Sequence, residues 1–554
     1  ILNVNGLTEA VNKGSVKFLR IIATDPITSK AIKTFSFETD GVIQISFDDV
    51  LQDYYVDYFL YGSDTKDIDI TIEQLPLYPG FILGDGVDDF AVTEKELNFE
   101  DTYTVYTAFI PFQNDPTRNM ILCGADSKKT FSMQYPHLVY VSFIAGNNYY
   151  INADLVNGLN LFACKRNGNN ICIKNLLTNK VVTGTCGDWV ENAGPYYLWR
   201  NATYASFAKA AIAGQTICNG YFSTDEDDEK VLDWYKKQYP WLFPDQAWTV
   251  VGKTNEDEDR ATIANITGNG NDLVLSNFGF AEGSGYGLYA YNFNSFNLRD
   301  NVVKPTDVKK DSFRMIGTGN SNNVLILLNE SDSADWKIRI TGMKDGDHLL
   351  AGNANKSGDY IKITKDGVYT FQKQYAANAT NGIWYNSSQE VDVLVEQIPE
   401  YEGYLVTDGV DDIASSNTVV YEADFTFIGE WKFIQKDDTV AGINSSSHLY
   451  IQNRYNRGAT VMINSTFENK KNITDYMTFK AITSKGKGYD ENWNEVDLLY
   501  GDGNKGTSGV NIGGQGGTEF CHMIFKNMAL YMNKVFTKDE CIKAYNYLQT
   551  LKAK

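Results

Sequence analysis

Residues 73–89 read EQLPLYPGFILGDGVDD, and residues 396–412 read EQIPEYEGYLVTDGVDD. The offset is 396 − 73 = 323. The match runs without a gap from Ile68–Asp89 against Val391–Asp412, with half of the positions identical. A phrase stated twice is either a site used twice or a junction between units that are themselves repeated, and the flanking sequence favours the junction. Upstream, Asp40-Gly41-Val42 matches Asp366-Gly367-Val368, and VKFLRI at Val16 faces WKIRI at Trp336. These stretches alternate apolar and polar residues as half-buried strands do, with Asp-Gly where a hairpin turns. A small β module therefore precedes each copy. Downstream, TYTVYTAFIPF at Thr102 and ADFTFIGEWKFI at Ala423 both read as strands. Each unit then closes on a helix start, at FSTDEDDEKVLDWY (Phe222) and FTKDECIKAYNYL (Phe536). The spacing predicts capping boxes of Ser223 with Glu226 and of Thr537 with Glu540, each hydroxyl accepting from a free amide of the first turn.

Residues 245–328 have no partner in the chain. They include TNEDEDRATIANITGNGNDLVLSNFGFAEGSGYG, which reads as a further β module of short strands between Gly and Asn turns. The end of this piece, NNVLILLNESDSADWKIRI, looks like the beginning of the chain, ILNVNGLTEAVNKGSVKFLRI. That likeness places Ile1 inside the last strand of an earlier copy and makes the chain part of a longer repeat polypeptide. The expected division is an Ig-like module over 1–78 with an incomplete start, a sandwich over 79–244, an additional module over 245–328, a second Ig-like module over 329–401 and a second sandwich over 402–554.

Composition agrees with an all-β, multi-domain chain. Of 554 residues, 35 are Tyr and 30 Phe, against 11 Pro, which favours pleated, half-buried surfaces. A net charge of −21 argues against nucleic acid, whose phosphates need a basic footprint. No apolar run is long enough to span a membrane, and no signal peptide is visible. The seven cysteines, an odd number without CxxC, read as reduced and mostly buried. Cys164–Cys172 or Cys172–Cys186 are the pairs open to a disulfide in an extracellular setting.

The second unit opens on LVTDGVDD, carries VNIGGQGG late and closes with FKNMALYMNKVFTKDE. In this it resembles the LamG-like branch of the concanavalin A-like lectin/glucanase superfamily. The matching positions are Asp408–Asp412, Ile512-Gly513-Gly514 and Met528–Glu540. In the first unit they are Asp85–Asp89 and Phe222–Glu226, with no Ile-Gly-Gly turn to match. The resemblance implies jelly-roll sandwiches of two antiparallel sheets, each closed by a short capped helix, with glycan binding or a spacer role. The TNED…NGNDLVLSNF…SGYG segment, next to LamG-like units, resembles large virion proteins of phages that infect gut Bacteroidales.

Several residue groups are candidates for chemistry. Asp85, Asp88 and Asp89, and likewise Asp408, Asp411 and Asp412, offer carboxylates to calcium, the one cofactor these residues suggest. Calcium takes six to eight oxygens, and three acids supply only part of that shell. The plainer reading is an Asp-Gly turn whose later acids bond the backbone, so no metal site is assigned. Glu390, Asp392 and Glu396 alternate along one strand, as Asp67, Asp69 and Glu73 do in the first copy. This is similar to the acid-rich strand of laminarinase-like glucanases. The spacing is one residue too long and the strand precedes the sandwich, so it reads as a solvated face and no catalytic residue is assigned. His137, His348, His448 and His522 share no ligand spacing, and GDGNKGTSG at Gly501 reads as a surface loop. The Asn-x-Ser/Thr triplets at Asn201, Asn265, Asn378, Asn464 and Asn472 are ordinary for so Asn-rich a chain. GPYYLWRN at Gly194 and GYGLYAYNFNSFN at Gly285 are rich in groups that stack on sugars, though alternating aromatics more often fill a core.

The expectation is a non-enzymatic virion component of the tail-fibre type. It would display lectin-like domains to a host-surface glycan or glycoprotein and contact other virion proteins, in an oligomer where the fibre requires one. The alternatives are a secreted or surface-anchored bacterial adhesin, and a glycoside hydrolase working through Glu390, Asp392 and Glu396.

Overall fold

The computed structural model describes residues 2–24, 31–38, 41–43, 55–62, 69–74, 78–112, 120–125, 129–134, 137–144, 147–156, 158–188, 192–200, 207–280, 283–289, 297–298, 303–317, 326–327, 336–346, 349–353, 360–371, 381–385, 391–434, 440–445, 449–454, 458–464, 466–469, 479–503, 505–515 and 519–553. Asp67, Glu390, His348 and His448 lie outside the described residues, as do Asn201, Asn378 and Asn472 of the triplets.

The strands pair antiparallel throughout and build two large sandwiches of the jelly-roll type. The first has a sheet in the order Val181–Thr185, Asn170–Asn175, Asn160–Asn167, Thr102–Pro111, Lys209–Asn219, Ile82–Asp85. The facing sheet runs Asn147–Asp154, His137–Ile144, Lys129–Gln134, Met120–Ala125, Tyr196–Leu198, Ala91–Val92. Between them lies a dry core of Val105, Phe109, Phe162, Ile171, Ile173 and their neighbours. Alternate residues of facing strands fill such a core without disulfides. Cys164, Cys172, Cys186, Cys218, Cys521 and Cys541 are free thiols, four of them buried.

The second sandwich repeats this order strand for strand. One sheet runs Glu495–Asp497, Lys487–Tyr489, Ala481–Thr483, Phe425–Phe433, Met523–Met532, Glu400–Val406. The other runs Thr466–Asn469, Gly458–Ile463, Leu449–Arg454, Val440–Ser445, Asn511–Ile512, Ile413–Ser415. It then gains strands with no counterpart among the described residues of the first. Gly285–Leu288 extends the first sheet beside Glu400–Val406, and Gln246–Thr249 pairs with Met523–Met532. Leu273–Ser276 and then Thr262–Ile263 extend the second sheet beyond Ile413–Ser415. Trp248, Ile263, Leu273, Leu275 and Tyr286 are buried in one core with Leu405, Phe427 and Phe525. The separate module expected over 245–328 is therefore corrected: its first part is built into the second sandwich. Its short strands cannot bury their apolar residues alone and do so against the open edges of Glu400–Val406 and Ile413–Ser415.

The rest of that stretch belongs to the small module, whose strands come from Asn297–Leu298 through Val391–Ile398. They form two five-stranded sheets, with Ile338, Ile340, Leu349, Ile383, Val393 and Val395 between them. The expected boundary at 328/329 thus cuts through this module, which is inserted between two parts of one sandwich. The first small module shows two three-stranded sheets over Leu2–Gln74.

The repeat also aligns differently near the start. Leu2–Asn5 pairs with Gly41–Ile43 and Thr71–Gln74, as Trp336–Thr341 pairs with Gly367–Phe371 and Val391–Ile398. Leu2 faces Gln74 and Ile338 faces Gln397, so Leu2 corresponds to Ile338. Gly6 and Gly342 follow these strands with φ of 84° and 101°, and a Cβ at either would collide with the carbonyl oxygen of Asp69 or Asp392, themselves equivalent positions. The pairing of VKFLRI with WKIRI is thus replaced by LNVNG with IRITG. Leu2–Asn5 is a strand of this module, not the last strand of an earlier one.

Each sandwich ends in a helix laid on the outer face of the sheet that holds Thr102–Pro111 in the first and Phe425–Phe433 in the second. The first, Asp225–Gln238, is capped by Thr224 with Asp227, one residue later than the expected Ser223 with Glu226. Ser223 instead donates to Asp228 at 3.1 Å, inside a buried network in which Lys165 Nζ meets Asp228 at 2.7 Å and Tyr106 donates to Asp228 at 2.9 Å. The second helix, Lys538–Thr550, is capped by Thr537 with Glu540 and docks through Cys541, Ala544, Tyr545 and Leu548. The two helix-bearing faces share an apolar seam in which Leu159 and Leu161 pack with Tyr547 and Leu551. Across it, the Leu159 amide donates to the Tyr547 hydroxyl at 3.1 Å.

Lys165 and Asp228 are 4% and 2% exposed, and while Asp228 also meets Lys174 at 2.9 Å, removing Asp228 leaves Lys165 buried without its counter-ion. Asp228→Ala is expected to lower stability by about 3–5 kcal/mol in denaturant titration. Exposed Asp225→Ala, by contrast, is expected to leave the denaturation midpoint close to that of the parent.

Candidate functional site

The doubled phrase crosses from a small module into a sandwich in both copies. Its glycines take the same left-handed turns, with φ of 84° and 80° at Gly80 and Gly403 and 81° and 77° at Gly86 and Gly409. The junction reading thus fits both copies. Among the described residues, a cluster of carboxylates is seen in the second.

In the second copy, Thr407 ties the turn to the central strand. Its hydroxyl donates to the Cys521 carbonyl and accepts from the Met523 amide at 3.0 Å. Gly513 of the Ile-Gly-Gly turn presses on it, so that a Cβ there would lie 2.8 Å from Thr407 Cγ2. Asp408 Oδ1 accepts from the amides of Val410 at 2.8 Å and Asp411 at 3.4 Å, and Asp412 Oδ2 accepts from the Asp408 amide at 2.8 Å. These bonds are the turn that the sequence led us to expect. They leave carboxylate oxygens of Asp408, Asp411 and Asp412 converging within 4.8 Å of one another. Asp412 is fully buried, and its Oδ1 has no hydrogen-bond partner. Burial, more than the neighbouring Asp408 charge, pushes the Asp412 carboxyl up to about 6.

The burial comes from the added segment. Asn277 Nδ2 donates to the Asp411 carbonyl at 2.9 Å, and Ser284 lies beside Asp412. The residues fit a hard divalent cation: three oxygen donors, one of them a buried carboxylate with the Ser284 hydroxyl beside it. In the first copy, Asp88 and Asp89 stay exposed, and the Asp85 side chain is outside the described residues. The first copy also fills the turn differently. Leu198 faces Ala91 as Ile512 faces Ala414, so Trp199 stands where Gly513 does. Trp199 is buried with φ of 63°, and its ring lies where a side chain on Gly84, the counterpart of Thr407, would go. Sequence reading missed this turn because it looked for Ile-Gly-Gly. The signal was the exchange of a small residue on one strand for a large one on the other.

The other candidates take structural roles. Asp392 is exposed and held in a fork by Arg314, Nε to Oδ1 at 2.5 Å and NH2 to Oδ2 at 2.8 Å, which keeps its carboxyl below the usual range. Glu396 faces Arg339 and Ser312 across the sheet of the small module. Asp69 and Glu73 are exposed. Among the described residues, Asp392 and Glu396 lie on a strand of the small module, outside the sandwiches, with Asp392 in an ion pair. His137 faces Asp154 at 3.1 Å on neighbouring strands, and His522 is lowered by burial. Tyr196 and Trp199 of GPYYLWRN are core residues, and Tyr286 is buried with its hydroxyl donating to the Arg260 carbonyl at 2.7 Å. These three rings face the interior and not solvent. Asn265 is a buried hub that takes the Ala247 amide at 3.2 Å and gives to the Gly270 carbonyl at 2.6 Å. A cavity of about 390 Å³ lies in the seam, bordered by Leu159, Phe243, Tyr547 and Leu551. Lys534 on its wall is already bonded to the carbonyls of Phe243 and Pro240.

No protein-family model matches the chain, and no curated protein does. Solved structures offer loose likenesses. The receptor-binding domain of botulinum neurotoxin type G is 11% identical over 58% of this chain and 93% of its own, with a TM-score of 0.23. The LG1-3 region of the laminin alpha2 chain is 8% identical over 80% and 96%, at 0.19. Trypanosoma rangeli sialidase in complex with sialic acid is 11% identical over 91% and 88%, at 0.21. At scores this low the likenesses carry no weight, and the architecture rests on the strand pairings above.

An unfolded carboxyl titrates near 3.8, below the folded value for Asp412. Its folded form therefore favours the proton, and stability falls as pH rises through the window from about 4 to about 6. Asp412→Asn is expected to flatten that fall in thermal melts without divalent cation. It should melt no lower than the parent above about pH 6, and a steeper loss in the variant would contradict the assignment.

Proposed function

We propose that this chain is a non-enzymatic, modular surface-attachment protein of the LamG-like kind, working outside the cell or at a bacterial surface. In this reading its second sandwich holds glycan through a divalent cation such as calcium at Asp408, Asp411 and Asp412. One observation carries it: Asp412, buried and with its Oδ1 lacking a hydrogen-bond partner, is one of three carboxylates that converge within 4.8 Å. Calcium needs six to eight oxygens, so three side chains leave positions for neutral hydroxyls such as those of a sugar. A chain of net charge −21 repels polyanions, and a bound cation turns an acidic turn into a site for neutral, oxygen-rich ligands. Repeated units on one chain convert weak contacts into firm attachment by raising effective concentration. The segment around 254–287 supports a second setting for the same chemistry, a virion appendage whose partners are host-surface glycans or glycoproteins and other virion proteins.

The test is a glycan array probed with the full chain, with calcium and with chelator. The reading expects retention on a subset of neutral glycans with calcium, and a loss of about tenfold or more with chelator or with Asp412→Asn. Retention indifferent to both would remove the cation from the account, and no retention on any glycan would remove the ligand class.

A further inference from the structure

The two units have the same strand order but not the same edges. In the second, Leu405 and Val406 face Tyr286 and Gly285 and are fully buried. Their counterparts at the 323-residue offset are Ile82 and Leu83, which are 61% and 52% exposed. Ile413, Ala414 and Ser415 face Ser276, Leu275 and Val274. Their counterparts Phe90, Ala91 and Val92 are exposed, Phe90 at 46% and Val92 at 49%. The small modules differ in the same way. Val391–Ile398 lies between Ser312–Gly317 and Trp336–Thr341, whereas Thr71–Gln74 pairs with Leu2–Asn5 and, among the described residues, ends its sheet. Asn381–Tyr385 lies between Ile326–Leu327 and Leu349–Asn353, whereas Tyr55–Tyr61, among the described residues, ends its sheet with Val56, Tyr58, Phe59, Leu60 and Tyr61 all exposed.

A strand with apolar residues exposed on both faces and a bare backbone edge is a template for another strand. In this chain all four corresponding edges of the second unit are covered by one continuous stretch, 262–327, that follows the helix of the first unit. We propose that the first unit is an acceptor for a polypeptide segment of the same pattern, donated by another repeat unit of this kind. The register is set by the second unit. A Gly-Tyr-Gly strand lies against Ile82–Asp85, with its Gly opposite Leu83 and its Tyr opposite Ile82. A Leu-x-Leu strand lies against Phe90–Val92, with its second Leu opposite Ala91. A strand like Ser312–Gly317 pairs with Thr71–Gln74, and one like Ile326–Leu327 with Tyr55–Tyr61. Units of this kind then form a string in which each one closes the sheets of the next. This inference does not depend on glycan or cation binding.

The test is the full chain carrying a second copy of its residues 245–337 placed directly ahead of Leu2, the splice at which Leu2 takes the position of Ile338. Hydrogen exchange is compared with the parent chain. The amides of Ile82–Asp85, Ala91–Val92 and Tyr55–Tyr61 are expected to slow by about tenfold or more. With Leu273→Asp and Leu275→Asp in the added copy alone, the protection at Ala91–Val92 is expected to vanish. Exchange at these three strands as fast as in the parent would overturn the proposal. So would protection of Ala91–Val92 that survives both substitutions.

Discussion

A sheet must end somewhere, and at its end it leaves a row of amides and carbonyls without partners and half a layer of apolar side chains without cover. The second sandwich meets that constraint with residues 246–288. Gly285–Leu288 and Leu273–Ser276 each cap one of its two sheets, and Gln246–Thr249 fills the remaining flank of Met523–Met532. Trp248 is driven fully into the shared core, and its indole N–H donates to the Asn271 carbonyl at 2.9 Å. The rest of the second unit follows from this closure, including the burial of Leu405 and Val406 and the insertion of the small module between two parts of one sandwich.

The same closure makes the acidic turn into something chemical. Two turns with the same five-residue sequence and the same left-handed glycine differ in what lies over them. Where Ser284 and Asn277 cover the turn, Asp412 is dry and its carboxyl is raised, while the uncovered Asp89 remains in water. The environment of the acids is set by the neighbouring segment as much as by their own turn. The first unit meanwhile spends its equivalent space on Trp199, lodged over Gly84.

Much of this was legible in the residues. Alternating strands, Asp-Gly turns and the 323-residue repeat led to paired β-sandwiches, and the FTKDE pattern marked the second helix cap. What the sequence concealed has physical causes. The short strands Thr262–Ile263 and Leu273–Ser276 carry no mark of which sheet they join, because pairing is chosen by the edges that other segments leave open. The cap at Thr224 lost to Ser223 in sequence because both hydroxyls precede a run of acids. The structure separates them through Lys165, which claims Asp228 and holds Ser223 inside. The alignment of the small modules slipped because matched apolar residues on VKFLRI and WKIRI outweighed Gly6 and Gly342, whose role is visible only as a close approach to a carbonyl. The carboxylate cluster was named from sequence but could not be separated from its twin, since the covering segment lies more than a hundred residues away.

The central claim is that residues 246–288 are part of the second sandwich and not a separate bead. Native-state hydrogen exchange in graded denaturant tests it directly. The amides of Trp248, Leu275 and Tyr286 are predicted to open with the same free energy and the same denaturant dependence as those of Val406, Ala414 and Leu530, as members of one cooperative unit. Opening of 246–288 at distinctly lower free energy, while Val406, Ala414 and Leu530 stay protected, would contradict it.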